Sequence, residues 1–187
     1  MKVNSLLLTI LAGALLFACQ SPTSEQVQKD IITNTDDQRR LRILIDSMEK
    51  VVYNENFDLD EGSSSSLMEA YTEYTTKYVG DQRTPEYLYK SAAISRAVGL
   101  PIKAIRLYDR ILADYPNFER NPEVAFLLAF TYDEDLKQPE RAKEAYQDLL
   151  DKYPDDMWAE QATARLENID KSDDELIKSF MEQNKTD

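Results

Sequence analysis

The apolar positions of this chain change their spacing from one stretch to the next, and each change marks an element. Leu6 to Phe17 is a twelve-residue apolar run with Lys2 ahead of it. A bilayer needs about 20 helical residues, so the run is too short to span one and predicts a secretory signal over residues 1–18. Residues 19–37 are rich in Ser, Thr, Gln, Asn and Asp with little apolar period, which predicts a flexible tether. From Gln38 the spacing becomes helical. Leu41, Leu44, Ile45, Met48, Val51 and Val52 make one face of a helix over Gln38–Asn54. Asn56–Ser66 reads as a loop and Leu67–Val79 as a second helix, giving a helical hairpin over 38–80. Met157–Asp170 is a further helix with Ala159, Ala162 and Leu166 on its apolar side. Ser172-Asp173-Asp174-Glu175 then has the form of a capping box, followed by Leu176, Ile177, Phe180 and Met181 on one face of a short amphipathic helix within 172–187. A lone helix this short is marginal in water, so it is expected to fold back on the array; an exposed anchor for a partner is the other reading.

Between these flanks the chain says one thing twice. Thr84-Pro85-Glu86-Tyr87-Leu88-Tyr89 returns 37 residues later as Asn121-Pro122-Glu123-Val124-Ala125-Phe126. Leu107 to Pro116, ending Tyr115-Pro116, returns 38 residues on as Ala145 to Pro154, ending Tyr153-Pro154. Thr84 and Asn121 are expected to cap their helices, with proline in the first turn and glutamate complementing the helix dipole. Gly99-Leu100-Pro101 and Asp135-Leu136-Lys137-Gln138-Pro139 end one helix and begin the next. Each copy is therefore two helices of about three to four turns. A fixed period of this length is the mark of a repeat architecture.

These residues resemble the tetratricopeptide repeat. Small residues sit where its two helices cross: Ala92, Gly99 and Ala104 in the first copy, Ala129 and Ala142 in the second, with Lys137 in place of the glycine. Tyr108 and Tyr146 fill the aromatic position, Ile111 and Leu149 follow, and Pro116 and Pro154 close the units. Leu88 and Ala125 stand where the family's first helix carries a tryptophan-type residue. The resemblance covers 85–118 and 122–156. Leu67, Tyr71, Tyr74 and Tyr78 lie 37 residues before Ala104, Tyr108, Ile111 and Tyr115, so the second helix looks like the back half of a degenerate unit. The expected fold is all-α, a short tetratricopeptide-type helical-hairpin solenoid preceded by a lipoprotein signal peptide. Residues 81–171 hold the two repeats and a capping helix.

The resemblance also implies a groove, lined by the first helix of each repeat, that takes an extended or helical peptide. Carried onto this chain, its residues are Tyr89, Ala93 and Arg96 from the first copy, and Phe126, Phe130 and Asp133 from the second. Leu88, Ala92, Ala125, Leu128 and Ala129 claim the core side, which turns Tyr89, Phe126 and Phe130 toward the groove; packing of these aromatics on the N-terminal helices is the competing reading.

Charge and chemistry narrow the partner. The chain has 22 basic and 35 acidic side chains, a net charge of −13. Such a body is repelled by nucleic acid and by anionic headgroups, which leaves basic partners or neutral ones held by apolar contacts. Arg39, Arg40 and Arg42 could meet a phosphate, although a solvated helix end explains them better. There is no histidine and Cys19 is the single cysteine, so the commonest general base, thiol catalysis and most zinc sites are excluded. Asp58, Asp60 and Glu69 have calcium-loop spacing, but Gly62 falls one residue from the place a sharp turn needs, and the stretch reads as an acidic loop. No cofactor or metal is expected. The chain reads as a non-enzyme; a carboxylate-based glycan hydrolase is a poor third reading, since no acid–base pair is evident.

Leu16-Phe17-Ala18-Cys19 looks like a bacterial lipobox, which implies acylation of Cys19 and a stable membrane anchor. Gln20 in place of aspartate favours, by resemblance, the outer membrane, and the body is expected on its periplasmic side, an orientation that Gln20 itself does not fix. The combination is similar to the tetratricopeptide lipoprotein of the β-barrel assembly machinery, and to the repeat domains of periplasmic proteins of cell division and peptidoglycan. It implies a cell-envelope scaffold that binds another envelope protein or peptide, with an accessory part in outer-membrane protein assembly or envelope maintenance as the alternative.

Overall fold

The computed structural model describes residues 24–53 and 61–171, with 174, 175, 177, 178 and 181 beyond them. The signal segment 1–18, Cys19, and Asp58 and Asp60 lie outside the described residues. The described residues form helices and no strand: α1 (Ser24–Val52), α2 (Glu61–Lys77), α3 (Thr84–Ala97), α4 (Pro101–Asp114), α5 (Asn121–Phe130), a π-helical turn (Thr131–Asp135), α6 (Pro139–Lys152) and α7 (Met157–Leu166). By their contacts, the residues up to Asp36 form one unit and those from Asp37 a second. Within the second, each helix from α2 to α7 packs on its chain neighbours, α5 also on α7, so the array grows by one helix at a time. This is an all-α helical-hairpin solenoid of tetratricopeptide type.

Its core is a series of three clusters. Leu41, Ile45 and Val52 of α1 meet Leu67, Tyr71 and Tyr74 of α2 and Tyr87 and Ile94 of α3. Leu88 and Ala92 meet Ala104, Tyr108 and Ile111 of α4 and Val124 of α5. Ala125, Phe126 and Ala129 meet Ala142, Tyr146 and Leu149 of α6 and Ala159 and Ala162 of α7. Tyr71, Tyr108 and Tyr146 occupy one position in the alternate helices α2, α4 and α6, each fully buried. Ala92, Ala104, Ala129 and Ala142 are likewise buried, which brings the helix axes close enough for the tyrosine ring to fill the gap beside them.

The turn inside each unit needs a left-handed residue. Gly99 supplies it at φ 76° and Lys137 at φ 51°. The one-residue excess of the second copy is taken up by the π turn, where Leu136 N–H donates to Thr131 O at 3.1 Å, five residues back. Thr84 and Asn121 do not cap. Thr84 Oγ1 donates to Tyr78 O at 2.6 Å and Asn121 Nδ2 to Tyr115 O at 2.9 Å, so both tie the new helix to the end of the one before. Each side chain is buried beside the preceding carbonyl, and the helix N-caps fall instead on Arg83 and Arg120.

Other expectations are corrected at the ends. α1 begins at Ser24, so the tether read over 19–37 is helical from residue 24; a packed helix extends through polar residues such as Glu25, Gln26 and Gln28 without a new nucleus. α2 begins at Glu61 and takes in Ser63–Ser66, with Ser64 fully buried as a small contact. Leu44 and Val51 are 48% and 58% exposed, because Leu41, Ile45, Met48 and Val52 already fill the width of the contact. Glu69 points out from α2. Beyond α7, Ile177 and Met181 are helical and 54% and 62% exposed, so these two side chains do not cap the array.

Candidate protein-binding cleft

The six groove residues expected from the sequence lie on α3, α5 and the π turn, and they divide. Tyr89, Ala93 and Arg96, with Ala97, Tyr108 and Leu127, line an open cleft of about 310 Å³. Phe126 does not face a groove. It is only 8% exposed and packs on Phe130 at 5.9 Å, Tyr146 at 5.7 Å and Trp158 at 4.9 Å between ring centroids. The reason is α7: Trp158 comes over the flank of the second copy and covers the ring.

Around the cleft, arginines lie on aromatic faces and are held there by carboxylates. Arg120 sits 3.7 Å from the Tyr89 ring centroid. Its Nε donates to Glu123 Oε2 at 2.9 Å and its Nη1 to Glu86 Oε1 at 3.2 Å. Tyr89 Oη donates to Glu123 Oε1 at 2.7 Å. Phe130 takes two guanidinium groups, Arg96 at 4.9 Å and Arg165 at 4.6 Å. Arg96 is bound through Nε and Nη2 to Asp135, the latter at 3.2 Å, and Arg165 through Nη1 to Glu134. Each such stack contributes about 0.5–2 kcal/mol, the upper value where water is excluded.

The titrating groups follow from these contacts. Burial raises the Glu123 carboxyl, but the hydrogen bonds from Arg120 and Tyr89 outweigh it and leave it below the usual carboxylate range. Burial, then the Glu134 charge, hold the Asp133 carboxyl above its ordinary value. Burial pushes the Tyr108 phenol up to about 12, with the Arg96 guanidinium opposing. Tyr146 Oη donates to Asp133 Oδ2 at 3.4 Å, whereas Tyr108 Oη, shut off from solvent, lies against the Arg96 guanidinium and has no such carboxylate acceptor.

Sequence reasoning misses Arg120, Glu123, Asp135 and Arg165 as members of this surface. Glu123 repeats Glu86, and at the start of a helix it reads as a partner of the dipole. Arg120 stands directly before the Asn-Pro-Glu helix start, and that adjacency is a usable signal. Arg165 reaches Phe130 from α7, and no spacing announces that. An open depression of about 1000 Å³ lies between the turns at 79–86 and 114–119, lined in part by Glu86, the partner of Arg120. Among the described residues no group of three or more acidic or cysteine side chains could hold a metal ion.

Residues 123–156 match the tetratricopeptide repeat. The matched span runs from α5 through the π turn and α6 to Asp156, the residue whose Oδ1 caps α7 by accepting from Trp158 N–H at 3.0 Å. No curated protein matches the chain. A fold of this type supports protein–protein interaction.

Proposed function

We propose that this chain is a protein-binding scaffold of the bacterial cell envelope, lipid-anchored through Cys19 and directed from the outer membrane toward the periplasm, with its partner seated on the face formed by Tyr89, Ala93, Arg96 and Phe130. The observation that carries the reading is the open cleft between α3 and α5, whose rim joins arginine to aromatic side chains. Side chains of this type dominate binding energy in protein interfaces. The anchor is supported by Leu16-Phe17-Ala18-Cys19 alone, and no helix among the described residues is long and apolar enough to cross a membrane.

Two experiments test it. A photocrosslinking residue at position 93 is expected to capture an envelope protein that the same residue at Lys143 on α6 does not; equal capture at both positions would overturn the cleft assignment. Cys19→Ser is expected to move the chain from the membrane to the soluble fraction and to abolish labelling by a tritiated fatty acid, and retention of label would overturn the anchor. The narrower reading, an accessory part in outer-membrane protein assembly, requires porin levels to fall on depletion.

A further inference from the structure

The joints between successive units are filled differently. Arg110 crosses from α4 toward α2 and donates through Nη2 to Thr75 O at 2.8 Å, a carbonyl in the last turn of that helix. The repeat carries Thr75 to Leu112 and Arg110 to Asp148. The second joint therefore keeps the carbonyl and loses the arginine. Leu112 O receives no hydrogen bond among the described residues, since its helical donor would be residue 116, a proline with no N–H. Between α4, α5 and α6 lies an open pocket of about 310 Å³, walled by Leu112, Leu128 and Leu149. Ala125 and Ala145 also line it, where the first unit has the larger Leu88 and Leu107. Leu112 and Leu128 stand for Thr75 and Ser91, so the second joint is more apolar as well. Asp148, Asp151 and Lys152 complete the lining, two acids to one base. Asp151 accepts from Gln147 Nε2 at 2.8 Å, whereas Asp148 has no hydrogen-bond or ion-pair partner among the described residues.

We propose that this pocket takes an arginine side chain from a partner protein, its guanidinium donating to Leu112 O and to the Asp148 carboxylate. The first joint is the precedent: there a guanidinium of the chain itself reaches the equivalent carbonyl. The methylenes of the incoming arginine lie on the leucine walls, as long basic side chains do when the charged head stays near water. An aliphatic residue would suit those walls but would leave Asp148 and the carbonyl unmatched. The planar fork of a guanidinium serves a carbonyl and a carboxylate side by side, which the single nitrogen of a lysine does less well. An acidic or phosphorylated segment would meet two carboxylates on a chain of net charge −13. The pocket shares no residue with the cleft around Tyr89, so it stands apart from the reading of that cleft.

A phage-displayed random dodecapeptide library panned on the full chain in detergent supplies the probes. Enriched peptides are measured by fluorescence anisotropy against the wild type, Asp148→Arg and Asp148→Asn. Asp148 is an exposed position of α6, so both variants are expected to fold, which circular dichroism checks. Asp148→Arg restores the residue of the first joint and blocks the pocket. Peptides lost on that variant are expected to share an arginine. Replacing it by lysine should weaken binding about tenfold, and so should citrulline, which keeps the shape and N–H groups without the charge. Asp148→Asn should weaken the arginine peptide about tenfold and the citrulline peptide much less. Lysine peptides that bind as well as arginine peptides overturn the guanidinium. Peptides lost on Asp148→Arg that carry no basic residue overturn the cation. No enriched peptide sensitive to Asp148→Arg overturns the pocket as a docking site.

Discussion

The first and second copies are built on the same positions and finished differently. Leu88 and Ala125, Ala92 and Ala129, Ala104 and Ala142, Tyr108 and Tyr146 all face inward in both. On the open side the pairs are unlike: Ala93 against Phe130, Arg96 against Asp133, Tyr89 against Phe126. The inner set fixes how helices approach, which any member of the array must satisfy. The outer set is free of that demand, and it is where the two copies acquire separate surfaces. In the second copy Trp158 closes over Phe126, and the first stays open at Ala93. The binding proposed for this chain falls to the copy whose packing is less complete on that side.

The comparison can be broken most severely at its shared position. Tyr146→Ala is expected to cost about 3–5 kcal/mol in urea unfolding, as for a large buried aromatic, and Tyr108→Ala a similar amount. Equal losses would confirm that the two rings act alike in their cores, and a much smaller loss at Tyr146 would show that the second copy can collapse around the gap. A smaller effect separates the turns. Gly99→Ala meets no steric obstacle, yet it places a side chain at φ 76° and should cost about 1 kcal/mol, while Lys137→Gly should gain about 0.5–1 kcal/mol by releasing φ 51°. Urea midpoints of the two variants should move in opposite directions.

The weakest expected difference is in pH. Glu123 has a folded value below the 4.5 of the unfolded chain, so its contribution is present above about pH 4.5 and is lost as pH falls through the lower folded value. Asp133 is raised above 3.8, so the folded chain binds its proton first and gains stability as pH falls through that raised value. Between pH 7 and 3, Glu123→Gln should flatten the acid loss of stability and Asp133→Asn should steepen it. Urea midpoints across that range measure both, and the same sign for the two variants would contradict the contacts drawn around them.

The array was legible in the sequence because its rules are local and repeated. Small residues, tyrosines and prolines recur at 37 and 38 residues, and the buried positions are those the period marks. Features that the period did not mark were decided by elements brought in from outside it. Phe126 reads like Tyr89 in sequence, but α7 lays Trp158 against it. Arg96 reads as a groove cation, but the π turn brings Asp135 to it. Thr84 and Asn121 read as caps, but the end of the preceding helix reaches them first. In each case the local pattern named the residue correctly and a tertiary neighbour changed its partner.

The π turn at Thr131–Asp135 sets how length enters this architecture. The second copy gained a residue relative to the first, yet α6 presents Ala142, Tyr146 and Leu149 to its neighbours as α4 presents Ala104, Tyr108 and Ile111. The surplus is dissipated within one wide coil and does not propagate. Units that differ by one residue can thus be joined in tandem with the same faces presented, the difference being absorbed at the end of the first helix, where Asp135 reaches Arg96.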